Sequence, residues 1–534
     1  MRLVMGIYLN PGNETFTEIT NQEIYVDKTM MLAELNKIMR RGNKYVCISR
    51  PRRFGKTVAG NMISSYYSKG CDSRAIFSRL KISGAESFEA DLNAFNVIKI
   101  DLNSEYRNCR KVETVLHSLT DKIIEEFQEQ FPELNINENY SIGEAIMKVY
   151  AKKHEQFVIL IDEYDVLVRE SVSGNVPDAL FNEYLGFLNG LFKSDTLRPA
   201  IALAYLTGIL PIVRDKVQSK LNNFREYTME DASELNEYVG FTEEEVKSLC
   251  GTYGIDFDEC RQWYDGYRLG QFDIYNPESV VMSILERNFS SYWGRTSTYR
   301  VISDRLEQNF EGTRDDVVAM LAGESVEVNV TRYMNTMDSF YTRSDVFTYL
   351  IHLGYLAYCR KDQTCRIPNR EVRQEWFNAI ETESDYKITN KIIQSSKNLL
   401  SETLAGNERL VAESLDMSHI HVTSNRSYNN EDALQSAIYL SFIYALNKYY
   451  VFKELTTGKG FADVVFVPFK KSPETPALIV ELKRNKCADS AINQIKEKKY
   501  FSELAPYTGK IIFVGISYDE ETKTHACKIE WFEK

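Results

Sequence analysis

The sequence predicts an α/β protein, and three stretches of the chain support this class. In residues 1–230, short apolar runs alternate with helical patterns, as is typical of a parallel sheet covered by helices. Residues 231–400 carry charged helical patterns, and residues 401–534 contain strand-like runs around one helical segment. We therefore expect an N-terminal α/β domain, a mainly helical middle region and a smaller C-terminal α/β domain.

Length and composition set limits on location. The chain has 534 residues, of which 43% are hydrophobic and 26% are charged, so it can bury several cores. No run approaches the roughly 20 apolar residues that span a bilayer. The first residues also lack the apolar stretch and cleavage site of a signal peptide. These features predict a cytoplasmic protein with no membrane partner.

Charge and cysteine content limit the partners. The net charge of -12 argues against a protein that coats nucleic acid over its whole surface, so any such contact must be local. Nine scattered cysteines include no Cys-x-x-Cys pair, which predicts reduced thiols rather than a zinc site. The sequence leaves open whether the chain forms a homo-oligomer.

Four apolar runs are the predicted strands of the N-terminal sheet. Their composition is nearly continuous Val, Ile and Leu, as in strands that are buried on both faces. The runs are Tyr45 to Ser49, Val97 to Leu102, Phe157 to Ile161 and Ile201 to Leu206.

The first strand leads into a candidate phosphate-binding loop. Such a loop needs backbone N–H groups at the start of a helix, a lysine for the phosphates and a hydroxyl for Mg²⁺. Gly55, Lys56 and Thr57 supply these parts in order, ahead of the helical run Val58 to Tyr67. Arg50 stands where G-x-x-x-x-G-K-[ST] has its first glycine, so the strict pattern is not met.

Polar residues also follow the third and fourth strands. Asp162 is suited to the Mg²⁺ shell and Glu163 to polarising an attacking water, although a solvated strand end would look the same. Thr207 either senses a terminal phosphate or simply belongs to a turn. The candidate arginines for stabilising phosphate charge are Arg52, Arg53, Arg214 and Arg268, and nothing in the sequence ranks them.

The middle region contains one recognisable pattern. A helix over Ser344 to Leu353, a turn at Gly354 and two short strands would fit a small winged-helix-like unit. Such a unit either binds DNA or packs beside a neighbouring core. The polar stretch from His419 to Asn430 is the best linker to the last domain.

The last domain is predicted to have an α-β-β-α-β order. The helices are Ala433 to Tyr444 and Ala488 to Leu504, and the strands are Asp463 to Val467, Ala477 to Leu482 and Lys510 to Ile516.

Three charged residues in this domain match metal-dependent phosphodiester chemistry, which needs converging carboxylates and a cation near the attacking water. Glu481 and Lys483 lie two apart on a strand and project from one face, and a hairpin can place Asp463 beside Glu481. The alternative is an Asp463–Lys483 ion pair with Glu481 exposed. Glu431 is either a further carboxylate or an acidic residue at a helix start.

Seven short motifs occur in order between residues 25 and 277. They are Tyr25 to Thr29, Ser49 to Thr57, Leu206 to Gly208, Leu221 to Asn223, Gly240 to Val246, Trp263 to Tyr267 and Tyr275 to Pro277. Together they resemble the AAA-ATPase-like family of bacteria, in which a PD-(D/E)XK nuclease domain follows. In that family the loop beginning with Arg50 replaces the glycine-first version. One departure from the nuclease pattern is that its first motif reads Ala462-Asp463 here rather than Pro-Asp.

The resemblance implies a P-loop NTPase-type parallel sheet and a restriction-endonuclease-like C-terminal domain. It also implies ATP and Mg²⁺, with Mn²⁺ as a substitute, and a nucleic-acid substrate that is DNA rather than RNA. Residues implied at the nucleotide are Arg53, Gly55, Lys56, Thr57, Asp162, Glu163 and Thr207. Residues implied at the nuclease centre are Glu431, Asp463 and Glu481 for the metal, Lys483 for the water and Gln494 as a supporting polar residue.

The leading hypothesis is an ATPase whose nucleotide state controls a metal-dependent nuclease. The alternative is a nucleotide-dependent switch or scaffold whose last domain binds nucleic acid or protein without cutting. A small-molecule kinase is disfavoured because no sequence feature marks an acceptor pocket.

Overall fold

The computed structural model describes residues 5–172, 174–212, 221–230, 234–293, 310, 312–333, 340–382, 387–422, 438–439, 441–457, 460–469, 475–498 and 510–532. The chain forms two compact units. The first comprises residues 1–295 and 327–372, and the second comprises residues 296–326 and 373–534. The three-domain division expected from the sequence stays a prediction.

A five-stranded parallel sheet is the centre of the first unit, as the sequence predicts. Its order is β2-β3-β4-β1-β5, and every neighbouring pair is parallel. Four strands match the predicted runs to within two residues, whereas the short β5, with no apolar run, was not predicted. The strands are β1 (Tyr45–Ser49), β2 (Asn96–Asp101), β3 (Phe157–Asp162), β4 (Ile201–Gly208) and β5 (Arg225–Tyr227).

Helices precede and connect these strands, and the apolar faces of the helices between residues 102 and 192 form a core with the sheet. Because the strands are parallel, the residues that follow β1, β3 and β4 meet at one edge of the sheet. The helices are α1 (Glu14–Thr20), α2 (Met30–Arg41), α3 (Lys56–Tyr67), α4 (Arg74–Phe77), α5 (Phe88–Asp91), α6 (Leu102–Asn108), α7 (Val115–Gln130), α8 (Ile142–Lys153), α9 (Val166–Val172) and α10 (Asp178–Phe192).

The middle of the chain is mainly helical, as predicted, with short antiparallel strands. Its helices are α11 (Glu243–Tyr253), α12 (Phe257–Tyr264), α13 (Pro277–Glu286), α14 (Thr313–Leu321) and α15 (Arg343–Leu353). Its strands are β6 (Phe241–Thr242), β7 (Tyr267–Leu269), β8 (Phe272–Tyr275), β9 (Val326–Glu327), β10 (Ala357–Cys359) and β11 (Thr364–Arg366).

The helix-turn-hairpin expected near Gly354 is present. Thr342 and Asp345 form a capping box that starts α15. Gly354 ends this helix with a φ of 86°, and a Cβ there would lie 2.7 Å from Trp293 and 2.8 Å from Pro51, so only glycine fits. Strands β10 and β11 then pair in an antiparallel hairpin. Whether this element binds DNA stays a prediction.

The second unit contains a five-stranded mixed sheet of order β12-β13-β14-β15-β16, in which only β14 and β15 are parallel. The sequence missed both edge strands, and half of the predicted helix over residues 433–444 lies outside the described residues. The strands are β12 (Tyr449–Thr457), β13 (Gly460–Pro468), β14 (Ala477–Arg484), β15 (Ile511–Asp519) and β16 (Thr524–Phe532). The helices are α16 (Arg370–Thr382), α17 (Lys387–Ala405), α18 (Glu408–Val422) and α19 (Ala488–Lys498).

The two faces of this sheet have separate apolar clusters. Leu478, Val480 and Leu482 of β14 belong to one cluster. Ala477 and Ile479 belong to the other, where Ile492 and Ile495 of α19 cover the sheet. Glu481 has the same parity as Ala477 and Ile479, so the alternation of the strand places it on the face that α19 covers.

Gly515 allows α19 to approach this face closely. It pairs with Glu481 in the register between β14 and β15. A Cβ on Gly515 would lie 2.6 Å from the carbonyl oxygen of Ala488 and 3.0 Å from Ile492. The absence of a side chain at residue 515 therefore sets the distance between α19 and Glu481.

We expect Gly515→Ala to destabilise the second unit by about 1–3 kcal/mol, because the added methyl group overpacks backbone that has little room to move. Urea unfolding followed by circular dichroism measures the change. The matched control is Gly186→Ala on α10, where nothing lies within 4 Å of the added carbon. There we expect a gain of about 0.5–1 kcal/mol from helix propensity, and equal effects in both variants would contradict the packing argument.

Candidate functional site

The candidate phosphate loop turns directly into helix α3. Gly55 is the residue that precedes the helix and has a φ of 84°, a left-handed conformation that glycine adopts without strain. Arg53 also has a positive φ, of 68°. The loop therefore ends at a helix N-terminus, where unpaired N–H groups and the helix dipole favour a bound phosphate.

Lys56 is folded back onto this loop. Its ammonium donates to the carbonyl oxygens of Arg50 at 2.9 Å and Pro51 at 2.7 Å. Burial lowers the pKa of Lys56 to about 8, although the carboxylates of Asp162, Glu163 and Asp165 oppose this shift. Two neutral carbonyl groups compensate a buried charge poorly, so a phosphate would compete well for this ammonium.

Asp162 and Thr207 come together at the ends of β3 and β4. The Thr207 hydroxyl donates to Asp162 Oδ1, which also accepts the N–H of Glu163 at 3.0 Å. Both side chains are buried. The exposed Thr57 lies on the first turn of α3. The structure thus joins the acidic residue to the predicted phosphate sensor, and each role stays a prediction.

Glu163 lies directly after β3 and has a φ of 51°. Its carboxylate forms an ion pair with Arg169, a residue that the sequence analysis missed. Arg169 Nη2 lies 2.9 Å from Glu163 Oε2, and its Nε lies 3.1 Å from Asp165 Oδ2. The only signal for Arg169 in the sequence is its position six residues after Glu163. Arg169 lies on α9, a helix that was not predicted from the sequence.

Two of the four arginines proposed from the sequence have other partners. Arg53 donates to the carbonyl oxygen of Tyr292 at 2.7 Å, and Arg268 pairs with Asp273 at 2.7 Å. Arg52 is exposed. Arg214 lies outside the described residues. Any role of these side chains at a nucleotide stays a prediction.

Arg50, the residue in place of the usual first glycine, has a structural position. Its side chain is fully buried and donates to the carbonyl oxygens of Tyr227 at 3.0 Å and Thr228 at 2.8 Å, and to Asn236 Oδ1 at 3.0 Å. Burial lowers the pKa of Arg50 to about 10. The guanidinium therefore ties the start of the loop to the segment that follows β5.

We expect Arg50→Gly, which restores the usual glycine, to destabilise the protein by about 3–5 kcal/mol. The change deletes a buried cation and leaves several carbonyl groups without a donor. Thermal unfolding of the purified variant measures the loss. Arg52→Gly, at the exposed neighbouring position, is the control and should stay within about 0.5 kcal/mol of the parent. An unchanged melting temperature for Arg50→Gly would contradict the structural assignment.

The candidate nuclease centre lies between β13 and β14. Val464 pairs with Val480 and Val465 with Ile479, and one further step in this register puts Asp463 opposite Glu481. Asp463 Oδ2 accepts the N–H of Leu482 at 2.7 Å. The hairpin therefore brings these two carboxylates together, as the sequence suggested.

Glu481 is the most unusual group in this centre because its side chain is only 1% exposed. Lys483 Nζ lies 2.9 Å from Glu481 Oε1. Glu481 Oε2 is buried and has no hydrogen-bond partner within the part of the chain that the structure describes. The alternative in which Glu481 is exposed is therefore wrong.

The environment of Glu481 strongly perturbs its ionisation. Burial and, to a smaller extent, the nearby charge of Asp463 raise the pKa of Glu481 to about 7, while Lys483 opposes both effects. A buried carboxylate with an unused oxygen is costly unless it is protonated or binds a cation.

A hard divalent cation fits these residues chemically, since carboxylate oxygens are the ligands that Mg²⁺ and Mn²⁺ prefer. Asp463 and Glu481 supply two such groups, and Glu431 lies outside the described residues. Gln494 is half-buried on α19, the helix that covers this face. Within the described ranges, no group of three or more His, Cys, Asp or Glu residues is arranged to hold a metal.

None of the helices within the described ranges combines the length and the apolar character that crossing a bilayer requires.

Comparison with known proteins finds a family match in each part of the chain that the motifs single out. Residues 11–218 match the family described as predicted AAA-ATPase, and residues 429–528 match the PD-(D/E)XK nuclease superfamily. Both matches confirm the resemblance drawn from the motifs. Together with the two sheets, they support an arrangement of an AAA-ATPase-like domain followed by a nuclease-superfamily domain.

One curated relative is an uncharacterized protein in the vnfD 5′ region of Azotobacter chroococcum mcd 1. It is 27% identical over 311 residues, which are 56% of this chain and 55% of the relative. The match thus spans about half the length of that relative.

Proposed function

We propose that this protein binds and hydrolyses ATP and that its C-terminal domain cleaves nucleic-acid phosphodiester bonds with Mg²⁺ or Mn²⁺. The observation that best supports the nuclease activity is the buried Glu481 carboxylate, with one unpartnered oxygen and Asp463 across the hairpin. A structural ion pair with Lys483 would use only one of the two Glu481 oxygens.

In the C-terminal centre, Asp463 and Glu481 would hold the cation, and Glu431 is a further candidate ligand. The bound cation supplies Lewis-acid activation of water and of the phosphodiester. Lys483 would leave Glu481 for the attacking water or the scissile phosphate, whose negative charge an ammonium stabilises. Gln494, on the covering helix, would orient the same water or phosphate by hydrogen bonding.

In the N-terminal site, Lys56 would exchange the carbonyls of Arg50 and Pro51 for the ATP phosphates. Thr57 and Asp162 would hold Mg²⁺, and Glu163 would orient the attacking water. Thr207, through its hydrogen bond to Asp162, would report the terminal phosphate. Gly55 and Arg53 would shape the loop around the phosphates.

We propose DNA as the nucleic-acid substrate ahead of RNA, and a cytoplasmic place of action. The charge of -12 restricts contact with nucleic acid to local patches. Basic residues do follow Glu481 on β14, on α19 and in the segment between them. These are Lys483, Arg484, Lys486, Lys496 and Lys498. We also propose that the nucleotide state of the first unit controls cleavage by the second.

A scaffold that binds without cutting is the second candidate. It is favoured because Asp463 and Glu481 are only two carboxylates. The described ranges contain no group of three or more His, Cys, Asp or Glu residues that could hold a metal ion. In that case, nucleic acid would bind to Asp463→Ala protein as well as to the parent protein.

The direct test is incubation of the purified chain with supercoiled plasmid, linear DNA and single-stranded RNA, with Mg²⁺ or Mn²⁺ and with or without ATP. We expect metal-dependent cleavage of DNA that EDTA abolishes and that ATP alters. Binding of DNA without cleavage under all these conditions would favour the scaffold.

A further inference from the structure

We propose that Arg169 is a positioning residue that restrains Glu163 and thereby slows ATP hydrolysis until the pair separates. This inference rests on the proposed ATPase activity and concerns the regulation of that same site. The observation behind it is that Glu163, the residue best placed to orient the attacking water, makes a direct charged hydrogen bond to Arg169.

The guanidinium of Arg169 lies between two carboxylates. Its Nη2 is 2.9 Å from Glu163 Oε2, and its Nε is 3.1 Å from Asp165 Oδ2. The side chains of Asp165 and Arg169 are 1% and 12% exposed, whereas that of Glu163 is 28% exposed. The arginine and Asp165 thus form the buried side of the cluster, and Glu163 faces the more open side.

Asp165 is anchored independently of Arg169. Its Oδ2 accepts the N–H groups of Ile209 at 3.1 Å and Leu210 at 2.9 Å, in the segment that directly follows β4. Arg169 is also fixed by its backbone, since its N–H donates to the carbonyl oxygen of Asp165 at 2.9 Å in the first turn of α9. Arg169 is therefore held in place from two sides, and Glu163 is the partner with freedom to move.

The hydrogen bond from Arg169 hinders Glu163 from acting as a general base. A carboxylate that accepts a charge-assisted hydrogen bond from a guanidinium has one of its oxygens held in a fixed direction. It orients water best when that oxygen is available. The backbone of Glu163 adds a constraint, since a φ of 51° is in the left-handed region that glutamate rarely adopts.

Steady-state ATP hydrolysis by the full chain tests the proposal with Arg169→Gln, which keeps a polar side chain and removes the charge. We expect kcat to rise about tenfold, with KM for ATP nearly unchanged because Arg169 acts on the water-orienting group rather than on nucleotide binding. The double variant Glu163→Gln/Arg169→Gln should be as slow as Glu163→Gln alone. A purely structural role for Arg169 would not produce that dependence on Glu163.

Each other outcome overturns the restraint. A fall in kcat for folded Arg169→Gln would mean that Arg169 stabilises phosphate charge instead, and a rise that persists in the double variant would mean that it acts independently of Glu163. If Arg169→Gln fails to fold, Arg169→Lys keeps a charge beside Asp165 and reaches Glu163 less well, so kcat must still rise. A parent protein that hydrolyses no ATP refutes the proposed ATPase and the restraint together, whereas a parent that hydrolyses ATP with kcat unchanged in Arg169→Gln refutes the restraint alone.

Discussion

We expect Glu481→Gln to reduce metal-dependent DNA cleavage by roughly a thousandfold, the equivalent of about 4 kcal/mol of transition-state stabilisation. The amide keeps the size of the side chain but removes the negative charge that would hold the cation. It also removes a carboxylate whose pKa burial has raised to about 7. The protein should remain folded, because the amide has the same shape and its oxygen can still accept the hydrogen bond from Lys483.

Plasmid nicking at saturating Mn²⁺ measures the loss. The matched control is Glu530→Gln on β16, where the glutamate pairs with Lys496 at a solvent-exposed position. Its removal should leave the rate within about twofold of the parent, since exposed ion pairs contribute little. Full activity in Glu481→Gln would place the cleavage centre elsewhere.

The second large effect is expected for Lys56→Ala, which should weaken ATP binding by roughly a hundredfold and abolish hydrolysis. The ammonium is buried, and burial has lowered its pKa to about 8. A triphosphate would offer it far stronger partners than the two loop carbonyls that it now contacts. Fluorescence titration with a labelled ATP analogue and phosphate-release assays measure the two losses.

Lys69→Ala is the control, because Lys69 forms a half-exposed ion pair with Glu155 at 3.2 Å. Its affinity for ATP should match that of the parent. Retained ATP affinity in folded Lys56→Ala would contradict the assignment of the loop.

The N-terminal fold was predictable because strands buried on both faces have an unmistakable composition. The runs at β1, β2, β3 and β4 gave both the sheet and the edge at which Asp162 and Thr207 meet. Strand β5 could not be predicted, since its three residues, Arg225 to Tyr227, have no apolar pattern. Its place beside β1 depends in part on the buried Arg50, whose role as a tether is a tertiary effect.

In the C-terminal unit, the sequence predicted the three central strands, β13, β14 and β15, but not the edge strands β12 and β16. The spacing of Glu481 and Lys483 placed both on one face, and the hairpin brought Asp463 near them. The burial of Glu481 depends on α19 and Gly515, which lie next to it only in the folded sheet. Likewise, Arg169 contacts Glu163 only because α9 follows β3 closely in the fold. The spacing of the two residues in the sequence does not predict this contact.

The central claim is that Asp463 and Glu481 hold a catalytic cation, and Mn²⁺ binding measured by calorimetry at several pH values tests it most directly. The titration is done without nucleotide. Under that condition the metal site of the phosphate loop, which needs the nucleotide's phosphates, does not contribute to the measured binding. Since the raised pKa of Glu481, about 7, favours the protonated form in the folded protein, Mn²⁺ must displace that proton below pH 7. We predict that affinity falls about tenfold per pH unit below 7 and levels off above it, and that Glu481→Gln and Asp463→Asn abolish binding. Binding that is equal at pH 6 and pH 8, or that survives in Glu481→Gln, would contradict the claim.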